Sequence, residues 1–135
     1  MAGIRAKDTK PEIVIRKALH AQGFRFRLHD RRLPGRPDLV FPRYRAAIFV
    51  HGCFWHGHAC ELFRLPQTRP EFWGPKIERN RTNDSNHLSA LLASGWRVAT
   101  VWECSLRGKH AEIDEVASRL SEWLRGTDQE VEIRG

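Results

Sequence analysis

Cysteine is scarce in this chain, with three in 135 residues, at 53, 60 and 104, and an odd number excludes a fully paired disulfide framework as the basis of the fold. Long apolar runs are missing as well. No stretch approaches the roughly 18 apolar residues of a membrane span, and the start, MAGIRAKDTK, has no apolar core of signal-peptide length. A cytoplasmic, non-membrane protein is expected. Internal repeats and low-complexity segments are absent too. Acid is in deficit: 16 Asp and Glu stand against 23 Lys and Arg, for a formal charge of +7 and a pI near 10.0. That excess points to a polyanionic partner, nucleic acid first, because each cation placed near a phosphate releases condensed counterions. No basic tail accounts for it, since Arg25, Arg27, Arg31, Arg32, Arg36, Arg79 and Arg81 are spread along the chain.

The length suits a single domain over 1–135 with its own core. Thr9 and Glu12 have the spacing of a capping box, and Ile13, Val14, Ala18 and Leu19 then give an apolar helical face that stops at Gly23. In FRFRL, Phe24, Phe26 and Leu28 alternate with Arg25 and Arg27, the period of a half-buried strand with a basic outer face. DRRLPGRP is a loop. DLVF and AAIFVH read as two strands at the centre of the sheet, joined by a tight connection. From Gly52 to about Gly74 no period is visible, and an irregular segment of that length in a small domain is usually functional or metal-organised. A helix is predicted from Pro75 to Gly95, with a polar first half expected to fray. WRVATVW is a strand leading to Cys104, and Ile113, Val116, Ala117, Leu120, Trp123 and Leu124 mark a last helix that stops at Gly126. The tail after 126 is expected to be loose. The order αβββαβα is that of a mixed α/β sandwich, with Trp96, Trp102 and Trp123 on apolar faces as core.

The densest chemistry lies in FVHGCFWHGHAC, residues 49–60. Cys53 and Cys60 flank the histidines, and Cys104 ends a strand that could lie beside AAIFVH, so three thiolates can converge. Tetrahedral zinc needs a fourth ligand. His58, two residues before Cys60, is within reach, although spacing alone does not choose among His51, His56 and His58. A filled shell would make the zinc structural; buried cysteines without metal are the competing reading. Asp38, in GRPDLV, stands at the start of a central strand, where an acid by itself commonly caps a loop. The neighbouring strand, however, ends in His51 and leads to His56. A carboxylate, two imidazoles and a basic surface meet the needs of phosphodiester hydrolysis: Mg²⁺ on the carboxylate, and a neutral imidazole to take a proton from water near neutral pH. Glu12 either orients such a water or completes its capping box. Phe54 and Trp55, taken alone, cover the zinc loop.

LPGRPD, HGCFWHGHAC, TRPEFW and GWRVATVWECSLRG, in this order and spacing, resemble the very-short-patch repair (Vsr) endonucleases, bacterial T:G mismatch nicking enzymes, from about Met1 to Arg125. The resemblance implies a restriction-endonuclease-like core, αβββαβ with a central mixed sheet flanked by helices, an inserted structural zinc site and a C-terminal helix. It implies nicking of one strand 5′ to the mismatched thymine, in a CT(A/T)GG-type context left by deamination of 5-methylcytosine. Asp38 matches the Mg²⁺-binding aspartate, with the Val50 carbonyl as a further metal contact. His56 matches the histidine at the scissile phosphate, and His51 and Glu12 the groups around metal-bound water. Cys53, His58, Cys60 and Cys104 match the Zn²⁺ ligands. Phe54, Trp55 and Trp73 fall at the mismatch from the major groove and Met1 from the minor-groove side, as wedges that unstack a weakened step more cheaply than an intact one. Arg36 and Lys76 are expected at the DNA.

Three departures stand out. Val50 replaces a threonine, which a main-chain metal contact tolerates; Gly57 replaces a histidine without removing an assigned ligand; and fewer residues precede the match than in familiar members. A relaxed-specificity mismatch nickase is therefore the first alternative, and a non-catalytic zinc-stabilised module for distorted DNA the second. A monomer acting on bacterial nucleoid DNA, with mismatch-repair proteins as further partners, completes the expectation.

Overall fold

The structure is a computed structural model describing residues 9–52, 70–107 and 112–134. Helix α1 (Lys10–Ala21) begins where expected, with the Thr9 hydroxyl accepting the Glu12 N–H at 3.4 Å and a proline in the first turn. Its buried stripe runs through Glu12, Ile15 and Leu19; Ile13, Val14 and Ala18, predicted to lead the inner face, are only half-buried. The stripe is rotated because an acid occupies one of its positions, which hydropathy assigns to solvent.

Strand β1 (Arg27–Leu28) is shorter than the FRFRL alternation suggests. Phe24 and Phe26 pack instead around Phe41, with ring centroids 6.2 and 5.5 Å away, while Leu28 at the sheet edge is 43% exposed. Strands β2 (Leu39–Phe41) and β3 (Ala46–His51) are joined, as expected, by a tight connection, one 3₁₀ turn over Pro42–Tyr44. Helix α2 (Pro70–Ala93) starts one turn before the predicted Pro75 and is helical throughout its polar first half. Pro70 itself suits a first turn, and Pro75 is exposed, so water can satisfy the carbonyl that it leaves without a partner. The helix ends on Gly95, whose φ of +86° lets Trp96 N–H return to the Leu91 carbonyl and Gly95 N–H to that of Leu92.

Strand β4 (Arg97–Trp102), the one-turn helix α3 (Cys104–Arg107), α4 (Ile113–Arg125) and strand β5 (Glu130–Ile133) complete the order. Among the described residues the sheet has five strands in the order β1-β2-β3-β4-β5, antiparallel on the β1–β2–β3 side and parallel from β3 to β5. The tail after Gly126 is not loose. Its EVEI alternation lays Ile133, 1% exposed, against the core and pairs Val101 with Ile133.

Strand alternation divides the core. Ala46, Ile48, Val50, Ala99 and Val101 face α1 and α4, meeting Ile15, Leu19, Leu120, Trp123 and Leu124. Phe49 and Val98 face α2, meeting Leu91, with Leu88, Leu92 and Trp96 at its margin. A mixed sheet covered by helices on both faces agrees with a restriction-endonuclease-like core. No helix among the described residues is long and apolar enough to cross a membrane.

Candidate active site

The loop before Asp38 is folded by its own side chains. Arg32 closes on the Asp30 carboxylate with contacts of 2.9 and 3.0 Å, and Arg36 N–H returns to the Leu33 carbonyl at 3.1 Å. Gly35 sits at φ +77° against α2, where a Cβ would stand 2.8 Å from the His87 ring; only glycine lets the loop lie so close. Arg36 follows, exposed, at φ +49°. The chain then enters β2, whose register places Leu39 opposite Ile48. Asp38 is thereby set beside the end of β3, where its Oδ2 accepts the Val50 N–H at 2.7 Å in a buried contact.

Two further groups converge on this carboxylate. From α1, Glu12 reaches across to the site: its Oε2 meets Arg16 Nη2 at 3.0 Å and His29 Nε2 at 2.9 Å. His29, just past β1, lies at φ +48°, its N–H bonded to the Asp38 carbonyl at 3.2 Å and its Nε2 3.9 Å from Asp38 Oδ1. Among the described residues, Glu12, His29 and Asp38 form the group of metal-ligating side chains whose donor atoms all lie within 4.8 Å of one another.

The electrostatics of this group are unbalanced. Burial pushes the Asp38 carboxyl up from its ordinary 3.8 to about 8, with the charge of Glu12 adding to it; the Val50 N–H and Arg16 oppose the rise. Two acids in one dry site cannot both ionise cheaply against a single guanidinium. A divalent cation is the missing charge, and carboxylate and imidazole donors suit one. Around the site the surface is basic, with Arg27, Arg31 and Arg36 exposed.

The description DNA mismatch endonuclease Vsr belongs to a family model that matches residues 1–62. The chain is 47% identical over 134 residues to the DNA mismatch endonuclease Vsr of Escherichia coli K12, covering 98% of this chain and 86% of that protein. This chain belongs to the Vsr family. It is also 55% identical over 106 residues to the type II nicking enzyme V.XorIIP of Xanthomonas oryzae, covering 78% of each, and 43% identical over 109 residues to V.NmeAIP of Neisseria meningitidis, covering 81% and 78%. Vsr proteins are DNA endonucleases, so the protein is an enzyme, and that membership sets aside a non-catalytic binding module.

In this Vsr chain the structure brings together Asp38 and Glu12 of the sequence-predicted residues. Val50 joins them through its N–H. His51 stands on the other side of β3, its ring 5.4 Å from Phe49 and 5.2 Å from Trp102, and is not in the three-residue group. Cys104 is buried at the mouth of α3, and the Glu103 N–H beside it donates to the His51 carbonyl at 2.9 Å. The strand that leads to Cys104 lies beside AAIFVH, as expected from sequence, with His51 paired to Trp102. Lys76 lies on α2, and Trp73 is placed by its backbone in the first turn of that helix. Met1, Cys53, Phe54, Trp55, His56, His58 and Cys60 lie outside the described residues.

His29 is the member of the group that sequence reasoning missed. By alternation it follows Arg25 and Arg27 on the basic outer face of FRFRL, which sends it to solvent. The left-handed turn at His29 and the pairing of Leu28 with Leu39 bring it opposite Asp38 instead.

Proposed function

We propose that this Vsr chain is a Mg²⁺-dependent, zinc-stabilised endonuclease that nicks one strand of duplex DNA 5′ to the thymine of a T:G mismatch, opening very-short-patch repair. The observation that carries the reading is the buried Asp38, locked by the Val50 N–H against Glu12 beneath an arginine-rich surface. The names of its relatives, a mismatch endonuclease and several nicking enzymes, point the same way.

Bound at this acid pair, Mg²⁺ would neutralise charge developing on the phosphate oxygens and acidify water. Asp38 and Glu12 would hold it, and the Val50 carbonyl is a further candidate contact. The protein's own groups do the remaining work. The Val50 N–H holds Oδ2 of Asp38, with Oδ1 on the side of His29, 3.9 Å from its Nε2. Arg16 anchors Glu12 from one side, so the second carboxylate stays aimed at the site. Exposed Arg27, Arg31 and Arg36, with Lys76 on α2, grip the DNA backbone. His56 is assigned to the scissile phosphate, His51 to water near it, and Phe54, Trp55, Trp73 and Met1 to the mismatched step. Cys53, His58, Cys60 and Cys104 are assigned to a structural zinc, in keeping with a buried Cys104 two residues beyond Trp102, the partner of His51 at the end of β3. The sequence context is taken as CT(A/T)GG-like, a single chain suffices to cut one strand, and mismatch-repair proteins are the further partners.

The test uses strand-labelled duplexes carrying T:G or C:G at one position, with Mg²⁺ or chelator. A single nick on the thymine strand, at T:G only and with Mg²⁺ only, is the expected result. Equal cutting of all mismatches would support the relaxed nickase. Metal analysis of the same preparation should find about one zinc per chain; protein free of zinc yet fully folded and active overturns that assignment.

A further inference from the structure

We propose that His29 is a nitrogen ligand of the catalytic cation in this chain, turning an all-oxygen site into a mixed one that holds Mn²⁺-class ions more tightly than Mg²⁺. The inference rests on the cation reading of Asp38 and goes beyond it. His29 Nε2 stands 2.9 Å from Glu12 Oε2 and 3.9 Å from Asp38 Oδ1. Neighbouring ligands about one small divalent ion, each at 2.0–2.1 Å, are roughly 3 Å apart and opposite ones roughly 4 Å, so both separations already match ligands of a common centre. The imidazole is held there from two directions. Its main-chain N–H is bonded to the Asp38 carbonyl, and the left-handed turn at φ +48° points its ring into the site instead of along the strand. A non-glycine residue in that conformation is uncommon and is expected where the surroundings fix it.

The guanidinium of Arg16 completes the argument. Its Nη2 lies 3.0 Å from Glu12 and 3.4 Å from His29 Nε2. Arg16 bonds the same Glu12 oxygen that His29 Nε2 meets, so the group that positions this carboxylate also stands against the imidazole and fixes the two donors relative to one another. Imidazole binds Mn²⁺, Co²⁺ and their neighbours more readily than Mg²⁺, which favours oxygen and parts slowly with its water. The same atoms that place Glu12 thus also bias the choice of metal.

The test reads binding, not cleavage. The zinc-loaded full chain is titrated with Mn²⁺, followed by the paramagnetic resonance of the free ion, and pulsed resonance then reports nitrogen coupled to the bound ion. Mn²⁺ is used because thiolates hold zinc far more tightly, leaving that site undisturbed. Wild type should show a histidine nitrogen coupling that disappears in His29→Gln, with Mn²⁺ affinity falling about tenfold and Mg²⁺ affinity, measured by competition, unchanged within a factor of about two. Equal melting temperatures of the two proteins show that the fold is intact. Mn²⁺ bound without nitrogen coupling in wild type overturns the proposal and leaves the carboxylate site standing. A coupling that persists in His29→Gln also overturns it, assigning the nitrogen to another histidine. Failure of wild type to bind either ion, with Asp38→Asn indistinguishable, overturns the underlying cation reading as well.

Discussion

Asp38→Asn is expected to lower nicking by at least about a thousandfold, the loss of several kcal/mol of transition-state stabilisation, while making the cation-free protein more stable above pH 7. The two effects have one cause. Burial, and then the charge of Glu12, raise the Asp38 carboxyl from 3.8 to about 8, so the folded chain keeps a proton that the unfolded chain releases. The sign follows from that. The favourable contribution is fully present below about 4, shrinks as pH rises through the window, and is gone above about 8. Fully expressed, the shift corresponds to on the order of 5 kcal/mol, and relaxation of the site will reduce it. An asparagine keeps an oxygen for the Val50 N–H but has no charge to desolvate. Melting curves at pH 5 and pH 8 in chelator should therefore show wild type losing several degrees relative to the variant, and added divalent cation restoring wild type alone. A wild type that gains on the variant between these pH values, or a variant retaining a tenth of the nicking rate, contradicts this account of Asp38.

Ending the chain after Gly126 is expected to cost at least about 3 kcal/mol, or about 10 °C in melting temperature. Three losses combine. Ile133 leaves the core beneath α4, the β4 edge loses its parallel partner from Val98 to Val101, and Arg97 loses the Asp128 carbonyl that its Nε meets at 3.0 Å. The rest of the Arg97 clamp would persist: its guanidinium also caps the Leu124 carbonyl at 3.1 Å and that of Trp123, and lies 4.7 Å from the Trp123 ring centroid. An exposed strand edge should also make the shortened chain prone to association. Differential scanning calorimetry with light scattering reads both effects, and a shortened chain that melts within 2 °C of wild type, on the order of half a kcal/mol, returns the tail to a dispensable role.

How far the sequence reached depended on whether a residue's environment was local. The four main helical and strand patterns, AAIFVH, WRVATVW, the Thr9 start and the Ile113–Leu124 stripe, all formed, because apolar periodicity and caps act within a few turns. Pro75 misled the start of α2, since a rule about isolated first turns has no knowledge of Pro70 ahead of it. EVEI alternates as a strand should, but four residues, half of them glutamate, which strands disfavour, are too short a pattern to stand out from a polar tail.

By itself, then, the amino-acid sequence determined the family, the basic character, the mixed α/β order and the two acids on which the cation reading depends, all of them written in motifs or short-range patterns. Only tertiary structure decided that the Glu12 carboxylate turns to His29 and Asp38, that His29 joins the two acids, and that the tail closes the sheet. The physical reason is the same in each case: strand register and the crossing of α1 over the sheet set which distant side chains share a dry site, and neither is encoded in the neighbours of any one residue.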